Sequence, residues 1–198
     1  METWEQRRDG LIPDTIFTLE HDPVITLGKR AKESDVLISD ESLAQRGIDL
    51  VRVDRGGEAT WHGPGQLVLY PIVHVAAHEI GVSDLVRGLA GAISSYLHTF
   101  DIDARWSNEH PGVWVDDRKI AAVGMRVQSG VSRHGAALNL HTATDAYSVI
   151  VPCGMPRAGV TSVFAEHGEA PSLKEAAEAV VQRLAATFGF EVLPPDAR

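Results

Sequence analysis

The sequence predicts an α/β (α+β) fold, a single domain in which a mixed β-sheet is flanked by helices. Two observations carry this expectation. Short runs of branched and aromatic residues recur along the chain between Gly, Pro, Asn and Asp, as strands do. Two longer segments, near residues 83–100 and 172–187, instead keep their apolar residues at helical spacing. Runs of strands with helices set between them fit a mixed architecture, and 198 residues are enough for one domain with a substantial core.

The elements follow in order. Met1 to Gly10 is polar and predicts a frayed helix. Thr15 to Glu20 and Val24 to Leu27 read as strands around the turn His21-Asp22-Pro23. Asp40 is placed to cap a short helix that runs to Arg46 and stops at Gly47. Ile48 to Val53 and Leu67 to Val75 read as buried strands on either side of a glycine-rich loop, Arg55 to Gln66. Ser83 is the expected cap of a helix reaching Phe100, whose stripe is Leu85, Val86, Leu89, Ile93, Tyr96, Leu97 and Phe100. Gly88 and Gly91 each weaken that helix by about 1 kcal/mol, which suggests close packing on a sheet. Gly112 to Val115 and Lys119 to Val127 form a hairpin through Asp116-Asp117-Arg118, followed by strands at Val131 to Leu140 and Tyr147 to Val151. Ser172 with Glu175 makes a capping box for the last helix, which ends at Phe188-Gly189 before a final strand, Phe190 to Leu193.

Composition narrows the function. The charge of -9 and pI near 5.4 argue against general nucleic-acid binding, which needs a basic face. The single cysteine, Cys153, leaves no internal disulfide and fits a reducing compartment. The charged N-terminus lacks a signal-peptide core, and no run of about 18 apolar residues offers a membrane span. The expectation is a soluble cytoplasmic protein with neither nucleic acid nor membrane as partner.

Several residues invite chemistry. The glycines of Arg55 to Gln66 allow close backbone approach to a ligand and favour a binding loop, with a plain glycine-rich hairpin loop as the local alternative. Cys153, set in Pro152-Cys153-Gly154 at the end of an apolar run, is either a small buried hydrophobe or a presented nucleophile. A thiolate would need a nearby base or cation, and Lys119, His62, His134 and His141 are available. Lys119 on its own reads more simply as a solvated hairpin lysine. The histidines show no metal-ligand spacing, so no metal is expected. Phosphate-loop, dinucleotide and serine-hydrolase motifs are absent. A papain-like arrangement is disfavoured, because that cysteine opens a helix near the mature N-terminus.

Taken together, these residues resemble a known family. Arg55-Gly56-Gly57-x-x-Thr60-x-His62-Gly63-Pro64-Gly65-Gln66-Leu67-Val68-x-Tyr70-Pro71 is similar to the signature of the lipoyl(octanoyl) transferases. Four further segments match in order: Glu20-His21-x-Pro23-Val24-x-Thr26-x-Gly28, Lys119-Ile120-Ala121 with Gly124, His134-Gly135-x-Ala137-Leu138-Asn139, and Pro152-Cys153-Gly154 with Gly159-Val160-Thr161-Ser162. The resemblance runs from about Asp14 to Phe164, and fewer residues precede it than the family usually carries.

The resemblance implies the catalytic-domain fold of the biotin and lipoate protein ligases. It implies an enzyme that moves octanoyl from acyl carrier protein to a lysine of lipoyl domains, in 2-oxoacid dehydrogenase E2 subunits and glycine cleavage H protein, without a cofactor. Cys153 would form the acyl thioester, while Lys119 would lower its pKa and carry protons. Arg55, Gly56, Gly57, Glu58, Ala59, Thr60, Trp61, His62, Ala122, Val123, Gly124, Gly135, Ala136 and Ala137 would line the acyl pocket. Lys29, Arg30, Lys32, Arg126 and Arg133 are candidates for docking the acidic carrier protein. The alternatives are an ATP-dependent lipoate or biotin ligase or a lipoyl amidotransferase of the same fold and, more remotely, a non-catalytic acyl-binding module.

Overall fold

A computed structural model describes residues 2–151 and 159–194. Its centre is a seven-stranded sheet built from β1 (Thr15–Leu19), β5 (Gln66–Ile72), β6 (Arg105–Ser107), β7 (Gly112–Val115), β8 (Arg118–Gln128), β9 (Val131–Asn139) and β10 (Gly159–Val160). The order is β1-β5-β9-β8-β7-β6, with every neighbour antiparallel. β10 adds in parallel at the start of β8, which makes the sheet mixed. A smaller sheet of three strands, β2 (Val24–Leu27), β3 (Asp49–Arg52) and β4 (Ala59–His62), runs in the order β3-β2-β4.

Five helices complete the described chain: α1 (Glu2–Arg8), α2 (Asp40–Gln45), α3 (Val82–Leu97), α4 (Val163–His167) and α5 (Leu173–Phe188). Helices α3 and α5 give the large sheet its core. Leu89, Ile93 and Leu97 meet Val180 and Leu184 over Leu67, Ala121, Ala136 and Leu138, all buried. A second core lies under the small sheet, where Ile25, Leu27, Ala59 and Trp61 meet Leu43, Tyr147, Val149 and Ile150. The N-terminal helix is docked rather than frayed, because Trp4 is buried and its indole N–H donates to the Val131 carbonyl at 3.2 Å.

The β7–β8 hairpin contains an irregularity that matters for the site. Val113 pairs with Ala121, but Trp114 pairs with Lys119, so Ile120 is an extra residue on β8. Paired residues share a face, and strand faces alternate. The bulge therefore puts Lys119 on the face of Ala122, while Ile120 sinks into the helix-side core. The β8–β9 hairpin closes through Ser129 and Gly130, both at positive φ, as a tight two-residue turn requires.

Several local expectations change. Ile48 to Val53 is not a buried strand: β3 is an exposed sheet edge with Leu50 and Val51 open to solvent. The glycine-rich loop is not all loop, since β4 forms inside it by pairing with β2. Ser39 caps α2 in place of Asp40, accepting from Ser42 N–H. Gly81 occupies the N-cap of α3, so Ser83 lies inside the first turn, and a 3-10 turn at 98–100 finishes the stripe. Gly88 packs on a helix and not on a sheet: a Cβ there would stand 2.5 Å from the Phe188 ring of α5. Gly91 is exposed and faces open space. Tyr147 to Val149 ends a 3-10 segment, Thr144–Val149, because their large side chains are drawn into the second core. Residues 190–194 form no strand. The capping box of α5 is as expected, with Ser172 and Glu175 satisfying each other's backbone N–H.

Candidate active site

Both sheets line one cavity of about 820 Å³. Its two sides are built differently. On the large sheet, Ala122 pairs with Ala137 and Gly124 with Gly135 across β8 and β9. These small residues alternate with Ala121, Ala136 and Leu138, which face the helices. The result is a smooth floor beneath the opposing chain. Gly124 allows a close approach, because a Cβ there would stand 2.9 Å from the Gly56 carbonyl oxygen, and Gly56 N–H in turn donates to the Met125 carbonyl at 3.2 Å. Gly135 faces a different constraint: a side chain there would run into the Leu69 carbonyl of β5. Its small size thus lets β5 and β9 close up, and space for a ligand is not its reason.

The other side is polar. Arg55 is buried, and its guanidinium donates to Thr26 Oγ1 at 2.9 and 3.1 Å, to the Thr26 carbonyl at 2.7 Å and to the Gly56 carbonyl at 3.0 Å. These bonds hold the turn at residues 55–57 against β2. His62 lies beside them, with Nδ1 2.7 Å from Gln66 Oε1 and Nε2 3.4 Å from Thr26 Oγ1. Burial pushes the His62 pKa down to about 4, against the opposing pull of the Gln66 hydrogen bond. His21 is lowered by burial as well, and its Nε2 lies 2.9 Å from the Tyr70 hydroxyl.

His134, in β9, takes a left-handed backbone conformation at φ 60°, unusual for a strand residue. Its Nε2 bonds Asp54 Oδ1 at 2.7 Å, and Arg126 and Arg133 meet the other carboxylate oxygen. Burial works to raise the Asp54 pKa, but the His134 hydrogen bond and the two guanidinium groups hold it below the usual carboxylate range. Burial lowers His134 despite its carboxylate partner. Arg126 and Arg133 are therefore engaged by Asp54, and they are not the open docking charges that the sequence suggested. Arg30 pairs with Glu58 at 3.0 Å on the surface, and Lys29, Arg30 and Lys32 are all exposed.

Lys119 is buried and not a solvated hairpin lysine. Its ammonium donates to the Pro111 carbonyl at 3.1 Å and lies 4.7 Å from the Trp114 ring centroid, over the indole. Gly112 makes room for it, since a Cβ there would stand 2.8 Å from Lys119 Cε. Pro111 belongs to the cavity wall, so Lys119 stands directly behind that end. The Lys119 carbonyl accepts from Thr161 N–H at 3.0 Å, and Val160 pairs with Lys119 across β10 and β8.

Every predicted pocket residue lines this cavity except Trp61, whose alternate strand position turns it onto Tyr147 in the second core. Cys153 lies outside the described residues. His141 is away from the cavity, bonding the Pro171 carbonyl at 3.1 Å. Sequence reasoning did not assign Thr26, Tyr70, Met125 or Asp54 to the site. A threonine within the apolar run Val24 to Leu27 was the available signal for Thr26. Among the described residues, no group of three or more His, Cys, Asp or Glu is placed to hold a metal ion. No helix among them is long and apolar enough to cross a membrane.

Comparison with known proteins fits this geometry. The profile described as the lipoyl protein ligase A/B catalytic domain matches residues 2–185. The chain belongs to that family. Among family members, the octanoyltransferase of Alkaliphilus metalliredigens is 40% identical over 194 residues, covering 98% of this chain and 89% of its own. That of Dictyoglomus thermophilum is 43% identical over 180 residues, covering 91% and 76%. This family member is an octanoyl-transferring enzyme of protein lipoylation. Its fold is that of the family's ligases. A lipoate-protein ligase A bound with ATP superposes with a TM-score of 0.73 at 18% identity, over 92% of this chain and 75% of that one. The biotin protein ligase of Aquifex aeolicus gives 0.53 at 15% identity, over 83% and 68%.

Proposed function

We propose that the chain, as a single catalytic domain, takes octanoyl from octanoyl-acyl carrier protein onto Cys153 as a thioester and passes it to a lysine of a lipoyl domain. Exchange of one thioester for another is nearly isoenergetic, so no cofactor or ATP is required. Lys119 favours the Cys153 thiolate as a nearby positive charge, gives its proton to the carrier-protein thiolate that leaves, and then, as a neutral amine, takes the proton of the attacking lysine amine. The octanoyl chain lies along Ala122 and Ala137, where at about 0.8 kcal/mol per methylene it gains roughly 5 kcal/mol of gross binding. The observation that carries this reading is the setting of Lys119. It is buried behind the Pro111 wall, and its backbone is bonded to the strand that follows Cys153 in sequence.

The acceptors are the lipoyl domains of 2-oxoacid dehydrogenase E2 subunits and of glycine cleavage H protein. One solved fold relative is described as a bi-partite lipoate protein ligase with its E2 lipoyl domain, from Thermoplasma acidophilum, at a TM-score of 0.72 and 18% identity over 98% of this chain and 80% of that one. Lys29, Arg30 and Lys32 are the exposed candidates for the carrier protein, Arg30 through a surface pair with Glu58. A free catalytic thiol fits a reducing compartment, which supports the cytoplasm as the site of the reaction.

Intact-mass measurement of the enzyme mixed with octanoyl-carrier protein tests the mechanism. One added octanoyl group is expected, absent from Cys153→Ala, which also loses transfer. Full transfer by Cys153→Ala would refute the thioester. Activation of free octanoate that depends on ATP would instead identify a ligase.

A further inference from the structure

Gln66 is fully buried, and every polar atom of its side chain has a partner. The orientation of its amide follows from backbone chemistry. A main-chain carbonyl can only accept, so the group 3.3 Å from the Trp61 carbonyl oxygen is the amide nitrogen. The same nitrogen faces Asn139 Oδ1 at 3.0 Å and the Tyr147 hydroxyl at 2.9 Å. Asn139 is oriented in turn, since its nitrogen donates to the Thr161 carbonyl at 3.0 Å. The Gln66 oxygen therefore faces His62 Nδ1, which must carry a proton to bond it at 2.7 Å. On the far side, Thr26 Oγ1 accepts from Arg55, which leaves its own hydrogen for the long 3.4 Å contact with His62 Nε2.

These bonds run in one direction. Arg55 donates to Thr26, Thr26 to His62, His62 to Gln66, Gln66 to Asn139, Asn139 to the Thr161 carbonyl, and Thr161 N–H to the Lys119 carbonyl. The series joins the polar side of the cavity to the strand that carries Lys119. We infer that Gln66 is a positioning residue for the transfer: it pins the His62 proton on Nδ1 and makes Nε2 the acceptor, which exchanges its long Thr26 contact for an N–H of the attacking amine. The proton lost on attack goes to Lys119, so His62 stays neutral throughout. This rests on the amine acceptor proposed above. The charged and titratable groups that face His62 are Arg55, His21 and His134, none of them acidic, so an anion at residue 66 would have no local rival.

The unaltered enzyme, labelled with ¹⁵N-histidine, supplies the first test. A neutral Nδ1–H imidazole for His62 at pH 7 is expected, and an Nε2–H tautomer or an imidazolium would overturn the inference. The second test is Gln66→Glu, which places a carboxylate where the carbonyl oxygen stood. His62 becomes an imidazolium, and octanoyl transfer to the acceptor amine falls about tenfold at pH 7, the size of one neutral hydrogen bond. The ratio of variant to unaltered rate then recovers as pH rises and His62 loses the extra proton, while formation of the Cys153 thioester is spared. A ratio that does not change with pH would sink the assignment. Failure of the unaltered enzyme to form any thioester would count against the Cys153 mechanism instead, and the imidazole spectrum would still decide this one.

Discussion

The two sheets that line the cavity are stabilised in different ways. The large sheet is covered on its far face by α3 and α5, and Leu69, Ala121, Leu138 and their neighbours are almost wholly removed from water. The small sheet has a lesser core, ends in the exposed edge β3, and holds its cavity side with hydrogen bonds among Arg55, Thr26, His62 and Gln66. One side is a floor of small residues whose shape comes from burial behind it. The other is a set of polar groups whose protonation states come from burial around them. A hydrocarbon chain calls for the first and a reacting carbonyl and amine for the second, so the division suits acyl transfer.

This contrast can be broken from either side. The largest effect belongs to the large sheet: Leu138→Ala should cost about 2–5 kcal/mol, read as a lower denaturant midpoint. Acid should act on the small sheet. The folded His62 pKa, near 4, lies below the ordinary value of 6.5, so the unfolded chain binds the proton first. The stabilisation is then complete above about pH 6.5 and is lost as pH falls toward 4, by about 3 kcal/mol in all. His62→Asn should flatten that stretch of the stability–pH curve, and an unchanged curve would refute the assignment. On the cavity floor, Ala137→Leu should put three more carbons where the acyl chain lies and raise the KM for the octanoyl donor at least about tenfold, with the fold intact. The smallest effect is expected at the open edge, where Leu50→Ser should change stability by no more than about 0.5 kcal/mol.

The large sheet and its helices were the more legible part of the sequence. Helical spacing in 85–97 and the Ser172–Glu175 box mark α3 and α5, because burial against one neighbour imposes a single period. Tyr147 to Val151 misled for the opposite reason. Branched and aromatic residues suit strands, but a short segment can instead wind so as to drop those side chains into a local core. At the site, the predicted acyl-pocket residues come together around one cavity because their motifs were read as units. Thr26, Asp54 and the amide of Gln66 did not declare their roles, since these depend on which strands neighbour one another. Trp61 lies in a segment that reaches the cavity, but strand alternation sends its own side chain to the other face.

The extra residue in β8 has a further consequence. In an unbroken strand of the same sequence, Trp114 would sit opposite Ile120, and Lys119 would turn with Ala121 and Val123 toward the helices. Anyone grafting this site onto another scaffold would have to copy the irregular register along with the side chains. A regular sheet carrying the same residues would offer substrate an isoleucine and bury the ammonium in oil.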